Sequence, residues 1–349
     1  MIDLRSDTVT LPTEAMREAM RRAALGDDSR DGDPTVRRLE EVSADITGKE
    51  AALFVASGTM ANLVALLAHA GRGGEVLLDE RSHIMRSELG GVAQLAGLFP
   101  VVYPAERGTP DVAAVRELIH RKTTPSRIAT TLICVETTHN DGGGAVLPLA
   151  RLSQLRTVAN EHAIPVHIDG ARLFNAAVAL GVTAAEVARN GDSVAFCVSK
   201  GLSAPVGSVL CGSAAFIERA RAYRRMVGGA MRQAGVIAAA GIVALEDMVE
   251  RLADDHRRAR ALAVGLHDIN PALADPVLVQ TNIVRVSTAG SGMDAKAWVD
   301  ALAARGVRAG AWTRTSLRLV THRHIDDDAV AQTLANFRAV SSSHTRQFA

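Results

Sequence analysis

VHIDGAR at residues 166–172 and AFCVSKG at residues 195–201 carry the architecture of this chain. Each is a short apolar run that ends on a charged side chain, Asp169 in the first and Lys200 in the second. Runs of this kind lack the polar alternation of a half-exposed strand and read as strands covered on both faces. Similar runs occur at AALFVA (51–56), EVLLD (75–79), LFPVVY (98–103), IATTLICVE (128–136) and VGSVLC (206–211), with Gly, Pro and Asp punctuating the chain between them. The intervening segments have helical periodicity. Asp33 and Pro34 start one such helix, Val36, Leu39, Val42 and Ile46 give it an apolar face, and Gly48 stops it. Repeated β-α units of this kind predict a largely parallel, doubly wound α/β sheet. In such a sheet ligands sit beyond the carboxyl ends of the strands, so Asp169 and Lys200 are expected to face one crevice.

The character changes after Gly229. Residues 231–268 hold two long helical patterns, the first Ala-rich (AGVIAAAGIVAL, 234–245) and the second Arg-rich after Arg251. From residue 281 the order is strand (NIVRV), helix (AKAWVDALAARG), strand (SLRLV) and helix (DAVAQTLANFRAV). This predicts a large cofactor-binding domain at 1–250, including the N-terminal segment, and a smaller C-terminal α+β domain at 251–349. A length of 349 residues suits two domains. The tail SSSHTRQFA is expected to be disordered.

A formal net charge of +1 argues against nucleic acid and anionic membrane as partners and leaves a small molecule as the natural ligand. The three cysteines, Cys134, Cys197 and Cys211, lie in apolar runs without metal-like spacing, so no metal is expected and buried thiols in a reducing compartment are. Asp3, Arg5 and Asp7 interrupt any apolar stretch at the start, and no later run reaches the ~18 residues of a membrane span. The expected location is the cytoplasm.

Only four lysines occur, Lys49, Lys122, Lys200 and Lys296, and Lys200 alone ends a strand at the predicted crevice. A lysine beside a carboxylate suits pyridoxal 5'-phosphate: the amine forms a Schiff base, and the carboxylate keeps the pyridine nitrogen protonated so that the ring accepts electrons. A surface lysine and a helix-capping Asp169 would give the same two letters. Ser57, Gly58 and Thr59 in SGTMAN add a strand-to-helix turn whose free N–H groups favour a phosphate, although capping alone also selects such residues. No G-x-G-x-x-G or G-x-x-x-x-G-K-[ST] follows any strand, which argues against a nucleotide-binding protein.

DLRSDTVTLPT, GDD followed by DPTV, SGTMANLVAL, ETTHN, VHIDGAR, VSKGLSAPVGS, GGAMRQAG and RLVTH together resemble, in order and spacing over nearly the whole chain, the L-threonine aldolases of low-specificity type. These enzymes belong to the β-eliminating lyase group of the aspartate-aminotransferase fold (fold type I). The resemblance implies a seven-stranded, mainly parallel sheet, a homo-oligomer (dimer or tetramer), and retro-aldol cleavage of L-threonine, L-allo-threonine or a related β-hydroxy-α-amino acid to glycine and an aldehyde. It makes Lys200 the Schiff-base lysine, Asp169 the partner of the ring nitrogen, Gly58 and Thr59 phosphate ligands beside Ser57, and His83 the residue stacked on the ring. On its residues alone His83 reads equally well as a solvated loop histidine. By the same resemblance Arg172 and Arg318 bind the substrate carboxylate, with Ser6 contributing, since arginine offers a planar fork. Arg232 resembles a position near the phosphate or a subunit interface. His83, or a water it orders, is the candidate base, with Glu88 helping to hold that water. Three departures touch the pocket for the β-substituent: Arg30 replaces a common tyrosine, Arg86 and Ser87 replace aromatic residues, and Ser126 stands near the place of a histidine. One of the arginines facing that pocket would favour a negative or strongly polar substituent. Another reaction on the same scaffold, β-elimination or racemisation, is the alternative.

Overall fold

Seven strands form the central sheet of the computed structural model, which describes residues 1–28 and 30–345. Their order is Ala51–Val55, Ser208–Gly212, Ser193–Cys197, Val166–Asp169, Thr130–Glu136, Glu75–Asp79 and Phe99–Tyr103. Six are parallel, and Ser208–Gly212 runs antiparallel to both neighbours. The reason lies in its connection. Parallel neighbours need a crossover of a dozen or more residues, whereas the chain returns from Cys197 to Ser208 through a short turn-rich loop. Gly207 closes that loop at φ 113°, and a Cβ there would lie 2.4 Å from the Phe54 ring, so only glycine fits.

Helices cover both faces. Pro34–Thr47 starts as expected, with Asp33 accepting from the backbone N–H of Thr35 and Val36, and ends at Gly48 in the left-handed region. The core beneath it joins Leu39, Phe54, Ile133, Ile168 and Phe196.

A second core surrounds Trp298 and Phe337 and takes in Ala259, Leu262 and Leu266 from the helix Leu252–Ile269. Ile283–Ser287, Ser316–Val320 and Gly310–Thr313 form its antiparallel sheet. Gly310–Thr313 lacks any strand-like run in the sequence. The first strand, Ile2–Asp3, was expected with the large unit but pairs with Val307–Arg308, and Leu4 is buried in this second core. The last helix runs from Asp327 to Thr345, so residues 341–345 of the expected disordered tail are helical; 346–349 lie outside the described residues. No helix among the described residues is long and apolar enough to cross a membrane.

Candidate active site

The parallel strands bring their carboxyl ends to one edge. Glu136 ends Thr130–Glu136 directly opposite Asp169, the last residue of Val166–Asp169, and Asp169 lies opposite Ala195 on the strand that runs into Lys200. Ser57 caps the 12-residue helix Gly58–His69 by accepting from Met60 N–H. The first-turn N–H groups of Gly58 and Thr59 have no helical acceptor and mark the positive end of the dipole. Gly58 sits against the sheet, where an added Cβ would come within 2.9 Å of Cys197 Sγ. This edge therefore offers an amine, a buried carboxylate and an anion-binding helix start, the donor set that a pyridoxal phosphate requires.

Asp169 is 3% exposed. Its Oδ1 accepts from Ala171 N–H at 3.1 Å and its Oδ2 from Asn62 Nδ2 at 2.9 Å. The same Asn62 nitrogen donates to Glu88 Oε1 at 2.8 Å, and that oxygen also meets His83 Nδ1 at 2.8 Å. Glu88 is thus buried and binds the His83 ring directly. The hydrogen bond to Glu88 holds His83 above the ordinary imidazole value against the opposing effect of burial, and Asp169 adds to the rise. Burial in turn lifts Glu88, more than its bond to His83 lowers it. With Nδ1 committed, Nε2 is the free nitrogen of His83. His83, Glu88 and Asp169 are close enough to suggest a metal site, yet an amide N–H donor from Asn62 already stands between the two carboxylates, where a cation would meet its positive end.

Glu136 fixes the loop geometry. Its buried carboxylate accepts from His83 N–H at 2.6 Å and from Asn140 N–H at 2.7 Å. Asn140 Oδ1 then accepts from Arg318 Nη1 at 2.8 Å. Arg318 also donates to the Arg5 carbonyl at 3.2 Å and stacks 4.8 Å from the Trp312 ring. These partners are neutral, so no carboxylate within ion-pair distance balances its charge among the described residues. Burial pushes the Arg318 guanidinium down to about 10, and the neighbouring charges of Arg172 and Arg285 contribute. A half-buried cation in this state is a seat for an anion.

Arg172 meets a residue of the N-terminal segment. Its Nε and Nη2 both donate to Asp7 at 2.7 Å, in a pair buried on both sides. Burial alone would raise the Asp7 carboxyl, but the charge and hydrogen bonds of Arg172, with Lys200 and Asn282, hold it far below the usual carboxylate range. Asp7 therefore engages the Nε/Nη2 edge of the guanidinium, and Arg172 anchors the N-terminal segment. Ser6 lies on that segment, accepting from Thr8 N–H at 3.2 Å.

His83, Arg86, Ser87, Asn140, Arg285 and Trp312 line a cleft of about 410 Å³. Arg86 reaches that cleft, but its guanidinium is tied to Glu80. Arg30 is 81% exposed at its side chain, 3.8 Å from Asp27, and does not line the cleft. The cations that do face it include Arg285, which donates to the Asp141 carbonyl at 2.8 Å and lies 5.3 Å from the Trp312 ring. Arg232 pairs with Asp27 at 3.5 Å, and Ser126 is an exposed turn residue away from the cleft. Sequence reasoning passed over Asp7, Asn62, Glu136, Asn140 and Trp312. Four of these stand inside motifs that it quoted, but their partners are remote in the chain; Trp312 had no motif around it.

The sequence profile of the β-eliminating lyase family matches residues 3–289. Low-specificity L-threonine aldolase 1 of Arabidopsis thaliana is 43% identical over 341 residues, covering 97% of this chain and 95% of that protein. The low specificity L-threonine aldolase of Escherichia coli K12 is 41% identical over 342 residues, covering 97% and 99%. The structure of a Leishmania major threonine aldolase shares the fold, with a TM-score of 0.82 at 18% identity, over 98% of this chain and 100% of that one. By this profile match and these full-length relatives, the chain belongs to the β-eliminating lyase family, among its low-specificity threonine aldolases.

Proposed function

We propose that this protein is a pyridoxal-phosphate-dependent aldolase that cleaves L-threonine, L-allo-threonine or a related β-hydroxy-α-amino acid to glycine and an aldehyde. The observation that carries the reading is the His83 ring beside Asp169, held through Nδ1 by Glu88 with Nε2 left free. Bound cofactor supplies the electron sink for the carbanion at Cα. Lys200 holds it covalently, Asp169 keeps its ring nitrogen protonated, and the helix start at Ser57, Gly58 and Thr59 takes its phosphate. Arg318 receives the substrate carboxylate, with Ser6 nearby. Arg172 supports this from below by fixing Asp7. Nε2 of His83, or a water it orders, accepts the β-hydroxyl proton as the Cα–Cβ bond breaks. Residues 1–250 thereby hold the cofactor, and residues 251–349 supply Arg318. A homo-oligomer in the cytoplasm completes the reading, supported by exposed Leu25 and Leu89 and by three free buried cysteines.

Product analysis with threonine tests the reaction: glycine and acetaldehyde are expected. 2-Oxobutyrate with ammonia from L-threonine would replace the aldolase by an eliminase, and D-allo-threonine, its Cα epimer, by a racemase.

Arg318→Ala is expected to act on binding. Losing hydrogen bonds to a charged group costs about 1.5 to 3 kcal/mol, which steady-state kinetics should read as a rise in KM of roughly tenfold to a hundredfold with kcat much less affected.

The pH dependence follows from His83. A base works only when deprotonated, so the rising limb of the kcat/KM profile is expected above the ordinary histidine value near 6.5. Glu88→Gln keeps the hydrogen-bond acceptor but removes the charge that raises His83, so the limb should move to lower pH. A limb that stays in place removes His83 as the base.

A further inference from the structure

Behind Asp169, a file of buried polar side chains crosses the sheet and is used by no step described so far. Ser193 Oγ lies 2.7 Å from His69 Nε2 and 2.8 Å from His167 Nδ1. His167 Nε2 lies 3.1 Å from Asn62 Oδ1, and Asn62 Nδ2 meets both Asp169 and Glu88. Asn62, His167 and Ser193 are 0–2% exposed.

The direction of every bond follows from one end. A carbonyl oxygen cannot sit between two carboxylate oxygens, so the Asn62 amide must present its NH₂ there and spend both hydrogens. Its Oδ1 then accepts, and His167 Nε2 must carry a proton. Burial holds His167 down to about 4, so the ring is neutral and its Nδ1 is bare. Ser193 donates its only hydroxyl hydrogen to that nitrogen and accepts from His69 Nε2–H. Burial likewise holds His69 down to about 3, with a further contribution from His167, and its ring stacks on Phe216 at 4.2 Å. All four links therefore donate toward Asp169.

We infer that Asn62, backed by His167, Ser193 and His69, is the positioning residue for Asp169: it locks the carboxylate against rotation at the end of a directed chain of neutral donors. With Ala171 N–H on one oxygen and Asn62 on the other, the remaining lone pairs have a single orientation. The chain supplies a positive potential without burying a cation beside Asp169, which would cost more than neutral hydrogen bonds. The inference rests on the reading of Asp169 as the partner of the cofactor ring.

Two-bond proton–nitrogen NMR of the ¹⁵N-histidine-labelled holoenzyme reads the tautomers directly, with His167→Gln and His69→Gln used to assign the signals. Both rings are expected neutral with the proton on Nε2; a proton on Nδ1 of His167 overturns the inference. Kinetics then separates donor from filler. Asn62→Ala is expected to lower kcat by roughly tenfold to a hundredfold, the value of one hydrogen bond to a charge, with little change in KM. Asn62→Asp fills the same space but aims an acceptor at two acceptors, and should be at least as damaging. If Asn62→Asp keeps more activity than Asn62→Ala, Asn62 only fills space and the inference fails. Ser193→Ala should leave the His167 proton on Nε2, because Asn62 Oδ1 still needs a donor there, and should release His69 into mixed tautomers; a His167 proton that moves to Nδ1 overturns the inference. Failure of the parent protein to take up pyridoxal phosphate would remove the functional reading, while the tautomers would still decide the chain.

Discussion

Lys200→Ala is expected to abolish turnover and to leave the protein unable to hold pyridoxal phosphate covalently. The reason is positional. Lys49 donates its ammonium to the Gly191 carbonyl at 2.6 Å, at the opposite end of the sheet strands, and Lys296 pairs with Asp300 on an exposed helix. Lys122 lies exposed in the loop before Thr130. None can replace an amine at the carboxyl end of Ser193–Cys197. The measurement is peptide mass after reduction of the holoenzyme with borohydride. A cofactor-modified peptide containing any lysine other than Lys200 removes the site assignment and the reaction with it.

Asp169→Asn is expected to fold and retain some cofactor but to lose most of its rate. A neutral amide cannot hold a proton on the ring nitrogen, so the electron sink weakens. Breaking a buried ionic pair costs about 3 to 5 kcal/mol, which on the rate scale is on the order of a hundredfold to a few thousandfold. The loss should appear in kcat, in contrast to Arg318→Ala, which should appear in KM. Should both variants raise KM alike with kcat intact, the division between cofactor and carboxylate roles is wrong.

The arginine substitutions of the pocket illustrate how residue type and placement differ. From sequence, Arg30 and Arg86 had equal claim to the β-substituent. In the folded chain Arg86 is occupied by Glu80 and Arg30 lies on the surface near Asp27. Beside Arg86 and Ser87, the cleft is bounded by Arg285 and Trp312, residues from the C-terminal unit.

The sequence by itself determined the doubly wound sheet, its strands nearly to the residue, and the placing of Asp169 and Lys200 at strand ends on one edge, because these depend on local properties. Buried parallel strands read as unbroken apolar runs, caps such as Asp33 and Gly48 act within a few residues, and ligand groups must stand at strand ends. Four lysines among 349 residues left little choice for the amine. The tertiary structure alone decided which way Ser208–Gly212 runs, that Ile2–Asp3 joins the C-terminal unit, that Arg172 is held by Asp7, and that Asn62 serves Asp169 and Glu88 together. Each of these joins residues distant in the chain, and a hydrogen bond of 2.7 to 2.9 Å between them leaves no periodicity or spacing in the sequence to read. The direction of a buried proton chain is more remote still, since it depends on which atom must donate once every neighbour is in place.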